Sequence, residues 1–431
     1  MNPKGAQPSI TRSLGALTLI TSTVSSSLFL QLFSAYPILE QLSNHLSISD
    51  IIALTRTHRE LINVYKYLEA NRWKIDQTLR RFVSNAAKFR SQMAKFNAFV
   101  FGSIPLQFFE RVVWEESDMD IIIQGKKDAD AFGMYLSTLE GYEFHHCKNM
   151  EEYNLPDRLE ANSYPLACFC VCCEHEPISA ILRSDTTVVV NFFSWNKAYA
   201  VYPLSTMIHH EGHMLRAPGS HYNDPGVEAE TLVKYAERGW KLLDVAWPEE
   251  RHFSINRQVR SSRRGELQGA ARSEERRPHT NHPIRNSRRV GDKYSWIIPF
   301  DTTYVADSET PDYVLEYAIF TLKKGFSPTS ESLDTAKVKF YVVGLAPYAA
   351  ATLCYRYTFG NWHWIAFLES MLASKVHERP LLKNPGYVRP DGWTYWDDYI
   401  PDFYWAWEKS KAKKKDIGGG GVVGKERLAR H

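Results

Sequence analysis

The segment FVFGSIPLQFFERVVWEESDMDIII, residues 99 to 123, contains the strongest structural signal in the chain. It opens with an apolar run from Phe99 to Phe101, which predicts a short strand. The pair Gly102 and Ser103 follows and predicts a tight turn into a helix. Because the first backbone N–H groups of a helix lack internal partners, this turn is a predicted binding place for phosphate.

Two carboxylates, Asp118 and Asp120, stand one residue apart at the end of the same segment. Alternation along a strand predicts that both project from one face, while Met119 and Ile121 point into the core. Neighbouring carboxylates repel each other unless a cation lies between them. Mg²⁺ takes hard oxygen ligands and shares them with phosphate groups, so the sequence predicts a magnesium site here.

The order of these features resembles the polymerase-beta-type nucleotidyltransferase superfamily. Its pattern is matched by Val100-Phe101-Gly102-Ser103, followed by Asp118-Met119-Asp120-Ile121. The resemblance implies that Asp118 and Asp120 are catalytic and hold Mg²⁺, and that Gly102 and Ser103 bind the phosphates of a nucleoside triphosphate. The predicted function is metal-dependent nucleotidyl transfer.

The superfamily also uses a third carboxylate on a following strand, and the sequence does not identify one. The strand expected to carry it, Ala167 to Cys173, offers cysteines, which prefer softer metals than Mg²⁺. Glu174, Glu176 and Asp185 lie near this strand in sequence, in positions poorly suited to the role. An active transferase and a degenerate, nucleotide-binding pseudoenzyme therefore both remain open.

Residues 36–66 form a second recognisable region. Pro37 opens a helix, the Leu46-Ser47 turn follows, and Ser49 is a predicted cap of the next helix. These features resemble an F-box, which implies a Skp1-type adaptor as partner and a role as a substrate adaptor without catalysis. The alternative is a helical hairpin that packs on the next domain. Together, the two regions resemble a family of fungal proteins that join an F-box-like start to a nucleotidyltransferase-like domain.

Composition limits the remaining classes of function. The chain has 431 residues, a formal net charge of +3 and six cysteines. The cysteines show no regular disulfide spacing, which predicts an intracellular protein of the cytoplasm or nucleus. The uncharged segment after Arg12 is diluted by Ser and Thr, so no membrane association is expected, and a targeting role stays open. The local basic segments either contact nucleic acid or a nuclear import receptor, or are solvated linkers.

The predicted fold class is α+β, a nucleotidyltransferase-like mixed sheet with helices, flanked by an F-box-like helical region and a partly helical C-terminal region. The predicted divisions are a flexible leader (1–35), the F-box-like region (36–90), the nucleotidyltransferase-like domain (91–245), an Arg-rich disordered loop (246–290), a C-terminal region packed on the core (291–408) and a disordered basic tail (409–431).

Overall fold

The structure is a computed structural model that describes residues 36–145, 157–161, 168–173, 176–216, 225–243, 287–327, 338–375 and 392–418. The chain divides into two compact units, Met1–Lys74 and Ile75–His431. The predicted leader, most of the Arg-rich loop and the last residues of the tail lie outside the described residues.

The described part of the first unit is helical, with α1 (Tyr36–His45), α2 (Ile48–Thr57) and α3 (Ile62–Asn71). Ser47, not the predicted Ser49, caps α2, because Asp50 three residues later completes a capping box. In this box the Ser47 hydroxyl accepts from the Asp50 N–H, and the Asp50 carboxylate accepts from the Ser47 N–H at 2.9 Å. Leu39, Ile51 and Leu68 are buried.

The second unit combines helices and strands. Its helices are α4 (Ile75–Leu79), α5 (Ala86–Phe96), α6 (Ser103–Glu110), α7 (Lys126–Leu139), α8 (Pro177–Leu182), α9 (Pro225–Glu237), α10 (Asp312–Glu316), α11 (Trp362–Ala373) and α12 (Ile400–Gly418). Its strands are β1 (Phe99–Phe101), β2 (Met119–Gln124), β3 (Tyr142–His145), β4 (Asp157–Ala161), β5 (Cys168–Cys173), β6 (Asn191–Phe193), β7 (Lys197–Ala200), β8 (Glu211–His213), β9 (Lys241–Leu243), β10 (Ser287–Arg289), β11 (Trp296–Pro299), β12 (Ile319–Ser327), β13 (Val338–Gly344), β14 (Ala346–Tyr348) and β15 (Tyr357–Phe359).

A mixed sheet organises this unit. Within the described residues it has eight strands in the order β11-β7-β6-β1-β2-β5-β4-β3. β1 lies antiparallel to both β6 and β2, and β2 lies parallel to β5. Ile121, Ile122 and Ile123 are all buried because β2 is a central strand covered on both faces. These features confirm the predicted α+β class.

A second mixed sheet carries β10, β12, β15, β14 and β13 among the described strands. Phe320 and Tyr341 of this sheet share a core with Phe99 and Ile122 of the first sheet and with helix α8. A further aromatic core surrounds the fully buried Trp364 of α11 and joins it to Trp407 of α12.

Two segments are more ordered than their composition predicts. α12 continues through Gly418, so residues 409–418 are helical although they belong to the predicted disordered tail. β10 begins at Ser287, inside the predicted Arg-rich loop. There Arg288 is buried and forms an ion pair with Asp292 at 2.6 Å. Because this ion pair neutralises the guanidinium charge, the arginine lies in the interior although the surrounding sequence is polar. No helix among the described residues is long and apolar enough to cross a membrane.

Candidate functional site

The turn between β1 and α6 has the geometry that the sequence predicts, and glycine is required there for two reasons. Gly102 has φ +80°, in the region that disfavours side chains. A Cβ atom at this position would also lie 2.7 Å from Oδ2 of Asp120. The turn therefore lies directly against the Asp120 carboxylate, in accord with the register that pairs Phe101 with Asp120.

The first turn of α6 presents few backbone donors. Gly102 is the N-cap and forms no side-chain cap, and Ser103 is the first helical residue and is buried. Pro105 lacks an N–H, so the donors without intrahelical partners are those of Gly102, Ser103 and Ile104. This end of the helix is the partly positive end of its dipole and suits an anion.

Interactions of Trp114 fix the loop that leads to Asp118. Its backbone N–H donates to the Gln107 side chain at 2.8 Å, and its carbonyl accepts from Arg81 at 2.9 Å. Arg238 of the loop after α9 lies 3.9 Å from the centre of the Trp114 ring. The loop is thus held on both sides, so the entry of the chain into β2 is defined.

Asp118 and Asp120 form the electrostatic centre of the site. Burial and then the charge of Asp118 raise the pKa of Asp120 to about 7, and the nearby Lys234 lowers it by less. A carboxylate whose pKa is raised in this way keeps its proton to a higher pH than an ordinary aspartate. The negative charge of Asp118 thus acts on Asp120 and adds to the effect of burial. A divalent cation would relieve this repulsion.

Lys234 of α9 is a site residue that the sequence did not predict. Its side chain is exposed, and its charge acts on Asp120. The next residue, Tyr235, is buried, and its pKa is raised mainly by that burial and in part by Asp120. α9 thus brings an ammonium group near enough to Asp120 for its charge to lower the pKa of that carboxylate. No local pattern signals this approach, because Lys234 is far from Asp120 in sequence.

No third metal-ligating side chain joins the pair in the part of the chain that the structure describes. Phe169 of β5 stands opposite Asp120 in the register. The same register pairs Gln124 with Cys173, so the chain leaves β5 at the end of β2 away from Asp118. Of the flanking carboxylates, Asp185 faces Arg216 at 3.7 Å, and Glu174 lies outside the described residues.

The chemistry of the donors fits Mg²⁺. Both candidate ligands are carboxylates, the ligand type that Mg²⁺ prefers, and the charge of Asp118 adds to burial in raising the pKa of Asp120. Because residue 102 is glycine, no side chain at this position contacts the Asp120 carboxylate. Asp118 and Asp120 would hold the ion, and the N–H groups of the α6 turn would face a phosphate beside it.

Neither a protein-family model nor a curated protein matches the chain. Several solved structures are similar to part of it, including the following three. A tRNA-processing enzyme in apo form I is 17% identical over 39% of this chain and 45% of its own, with a TM-score of 0.30. The Thermotoga maritima CCA-adding enzyme complexed with tRNA is 14% identical over 41% and 43%, with a TM-score of 0.31. A CCA-adding enzyme in complex with CTP is 16% identical over 41% and 44%, with a TM-score of 0.30. The chain spans less than half the length of each of these structures.

Proposed function

We propose that the second unit binds a nucleoside triphosphate together with Mg²⁺, at the site formed by Gly102, Ser103, Asp118 and Asp120. The observation that carries the proposal is the position of Asp120 directly against a turn where only glycine fits, with a pKa raised mainly by burial and further by the charge of Asp118. Two neighbouring carboxylates favour a divalent cation as their ligand. A cation next to the N–H groups at the start of a helix in turn favours phosphate.

Each residue has a distinct role in this proposal. Asp118 and Asp120 would ligate the ion, which would neutralise phosphate charge. Asp120 would lose its proton when the ion enters, because metal ligands must be deprotonated. The backbone N–H groups of Gly102 and Ser103 would donate to the phosphates. Lys234 would add a positive charge to the same region.

We favour nucleotide binding over nucleotidyl transfer because transfer in this type of site uses a third carboxylate to activate the acceptor. The described residues provide two. Incubation with ATP, Mg²⁺ and a mixture of RNA and small-molecule hydroxyl acceptors, followed by a pyrophosphate assay, separates the two functions. Binding without pyrophosphate release is the expected result, and release that requires Asp118 would assign transfer.

Isothermal titration calorimetry tests the binding itself. We expect Mg²⁺ and ATP together to give saturable heat with the intact chain, and Asp118→Ala or Asp120→Ala to abolish it. Asp130→Ala serves as the matched control, because this exposed carboxylate lies on the adjacent helix α7. An intact chain that gives no heat, or Asp variants that bind as well as it does, would disprove nucleotide binding here.

A second function is proposed for the first unit, namely docking of a Skp1-type adaptor through residues 36–66. Ile38 and Leu42 stand four residues apart on α1 and are 39% and 37% exposed, and Ile62 is 47% exposed. Apolar side chains in such positions suit a protein partner. Co-purification with a Skp1-type protein tests this, with Ile38→Lys and Leu42→Lys expected to abolish the complex. Glu69→Lys on α3 is the control, and a complex that survives both Lys variants would contradict the proposal.

A further inference from the structure

A cavity of about 230 Å³ lies at the other end of the central sheet from Asp118 and Asp120. Gln124, the last residue of β2, lines it, as do Asn97 before β1 and Ser194 after β6. Asp120 and Gln124 are four residues apart, which is about 13 Å along a strand. The cavity is therefore separate from the carboxylate pair and needs its own explanation.

Glu176 is the unusual group of this cavity. The residue is 8% exposed, and neither carboxylate oxygen has a hydrogen-bond partner within the described residues. It holds the N-cap position of α8, but its side chain does not cap the helix. A buried carboxylate without a partner is unfavourable, so the side chain has no evident structural role.

The other charges around the cavity do not neutralise Glu176. Asp312 is already bound, because Lys197 lies 2.7 Å from it and the Asn196 side chain donates to both of its oxygens. Arg356 lines the cavity but is exposed to solvent, and it does not donate to Glu176, whose carboxylate oxygens have no hydrogen-bond partner in the described part of the chain. The cavity thus has a negative interior group.

The remaining lining defines the shape of a suitable ligand. Ile178, Val314 and Leu315 provide apolar surface. The Thr358 hydroxyl is buried and also has no partner among the described residues, so it offers a second polar contact. An apolar cavity of about 150 Å³ holds one benzene molecule, and this cavity is larger. A ligand with one small ring or a short chain, and one cationic donor group, matches both its size and its chemistry.

We propose that this cavity binds a small organic amine, whose ammonium group donates to Glu176 and whose apolar body contacts Ile178, Val314 and Leu315. The Thr358 hydroxyl would accept a further N–H of the same group. The selectivity would come from the buried carboxylate, because a neutral molecule of equal shape leaves it without a partner. This site is independent of the nucleotide site proposed above.

Benzylamine is a suitable probe, with benzyl alcohol as its neutral counterpart of nearly equal size. Titrations into the full chain at pH 7, followed by tryptophan fluorescence and calorimetry, measure both affinities. We expect benzylamine to bind about 10- to 100-fold more tightly than benzyl alcohol, the range that a hydrogen-bonded charge supports. Equal binding of benzylamine and benzyl alcohol to the unmodified chain, or binding of neither, would overturn the proposal.

Glu176→Gln should remove the preference for benzylamine, because it keeps the shape of the side chain and removes its charge. Glu309→Gln is the matched control, since Glu309 is an exposed carboxylate close to Tyr355 at the cavity. Asp120→Asn should leave benzylamine binding unchanged while it abolishes Mg²⁺ and ATP binding. A Glu176→Gln variant that retains the preference would contradict the role of the carboxylate.

Discussion

Asp120→Asn should make the protein more stable at neutral and alkaline pH. Burial and then the charge of Asp118 raise the pKa of Asp120 from its ordinary value of 3.8 to about 7 in the folded chain. Each pKa unit corresponds to about 1.4 kcal/mol, so the ionised side chain costs up to about 4 kcal/mol of folding free energy. Asparagine has nearly the same shape and carries no charge, so it avoids this cost.

The sign of the pH dependence follows from the direction of the shift. Because the folded pKa is raised, protonation of Asp120 stabilises the fold. This contribution is complete below about pH 4 and is lost as the pH rises through about 7. The stability difference between Asp120→Asn and the intact chain should therefore be near zero at pH 4. It should widen by about 2.5 kcal/mol between pH 5 and pH 8.

Urea unfolding at pH 5 and pH 8, with and without MgCl₂, provides the measurement. Mg²⁺ should raise the midpoint of the intact chain at pH 8 and leave that of Asp120→Asn unchanged, because a ligand stabilises only the state that binds it. Asp130→Asn is the control and should change stability by less than about 0.5 kcal/mol. A difference for Asp120→Asn that does not depend on pH, or a destabilised variant at pH 8, would rule out the raised pKa.

Three further variants have definite expected outcomes. Gly102→Ala should abolish Mg²⁺ and ATP binding in calorimetry, because the new Cβ would clash with Asp120. Gly125→Ala is the control for backbone strain alone and should retain binding, because Gly125 has φ +81° and open space around it. Lys234→Met should weaken ATP binding by about tenfold in calorimetry, because it removes one modest charge interaction. The same variant should raise the pKa of Asp120 further in an NMR titration, because Lys234 lowers that pKa. Arg90→Met should lower the free energy of unfolding in urea by about 3 kcal/mol, because buried Arg90 donates to the carbonyls of Trp195 and Asp301 at 2.8 Å; an unchanged midpoint would contradict this.

The carboxylate pair and the glycine turn were predictable because their signals are local. The apolar run before Gly102 predicted β1, and the structure places this strand at Phe99–Phe101. The alternation after Asp118 predicted that Met119 and Ile121 are buried, and both are 0% exposed. In each case the residue types within a few positions determine backbone geometry and the face of the strand.

The predictions that needed correction concern the ends of elements and the pairing of charges. The Gly- and Lys-rich composition after Lys409 predicts no fold, yet α12 continues through Gly418 from an aromatic segment packed on Trp364. The Arg pair at 288 and 289 predicts a solvated loop, yet Asp292 and the Val201 carbonyl bind Arg288 in the interior. Local composition does not predict ion pairs and hydrogen bonds with residues that are distant in the sequence.

The sequence by itself determined the strand–turn–helix around Gly102, the spacing of the two aspartates and the α+β class, since short-range backbone preferences and hydrophobic periodicity set these features. Only the tertiary structure decided that Lys234 approaches Asp120 and that Glu176 lies at the opposite end of β2. The register of β2 against β5 fixes the position of the chain that follows β5. Such registers are set by packing between residues distant in sequence, and a one-residue slip would change every pairing.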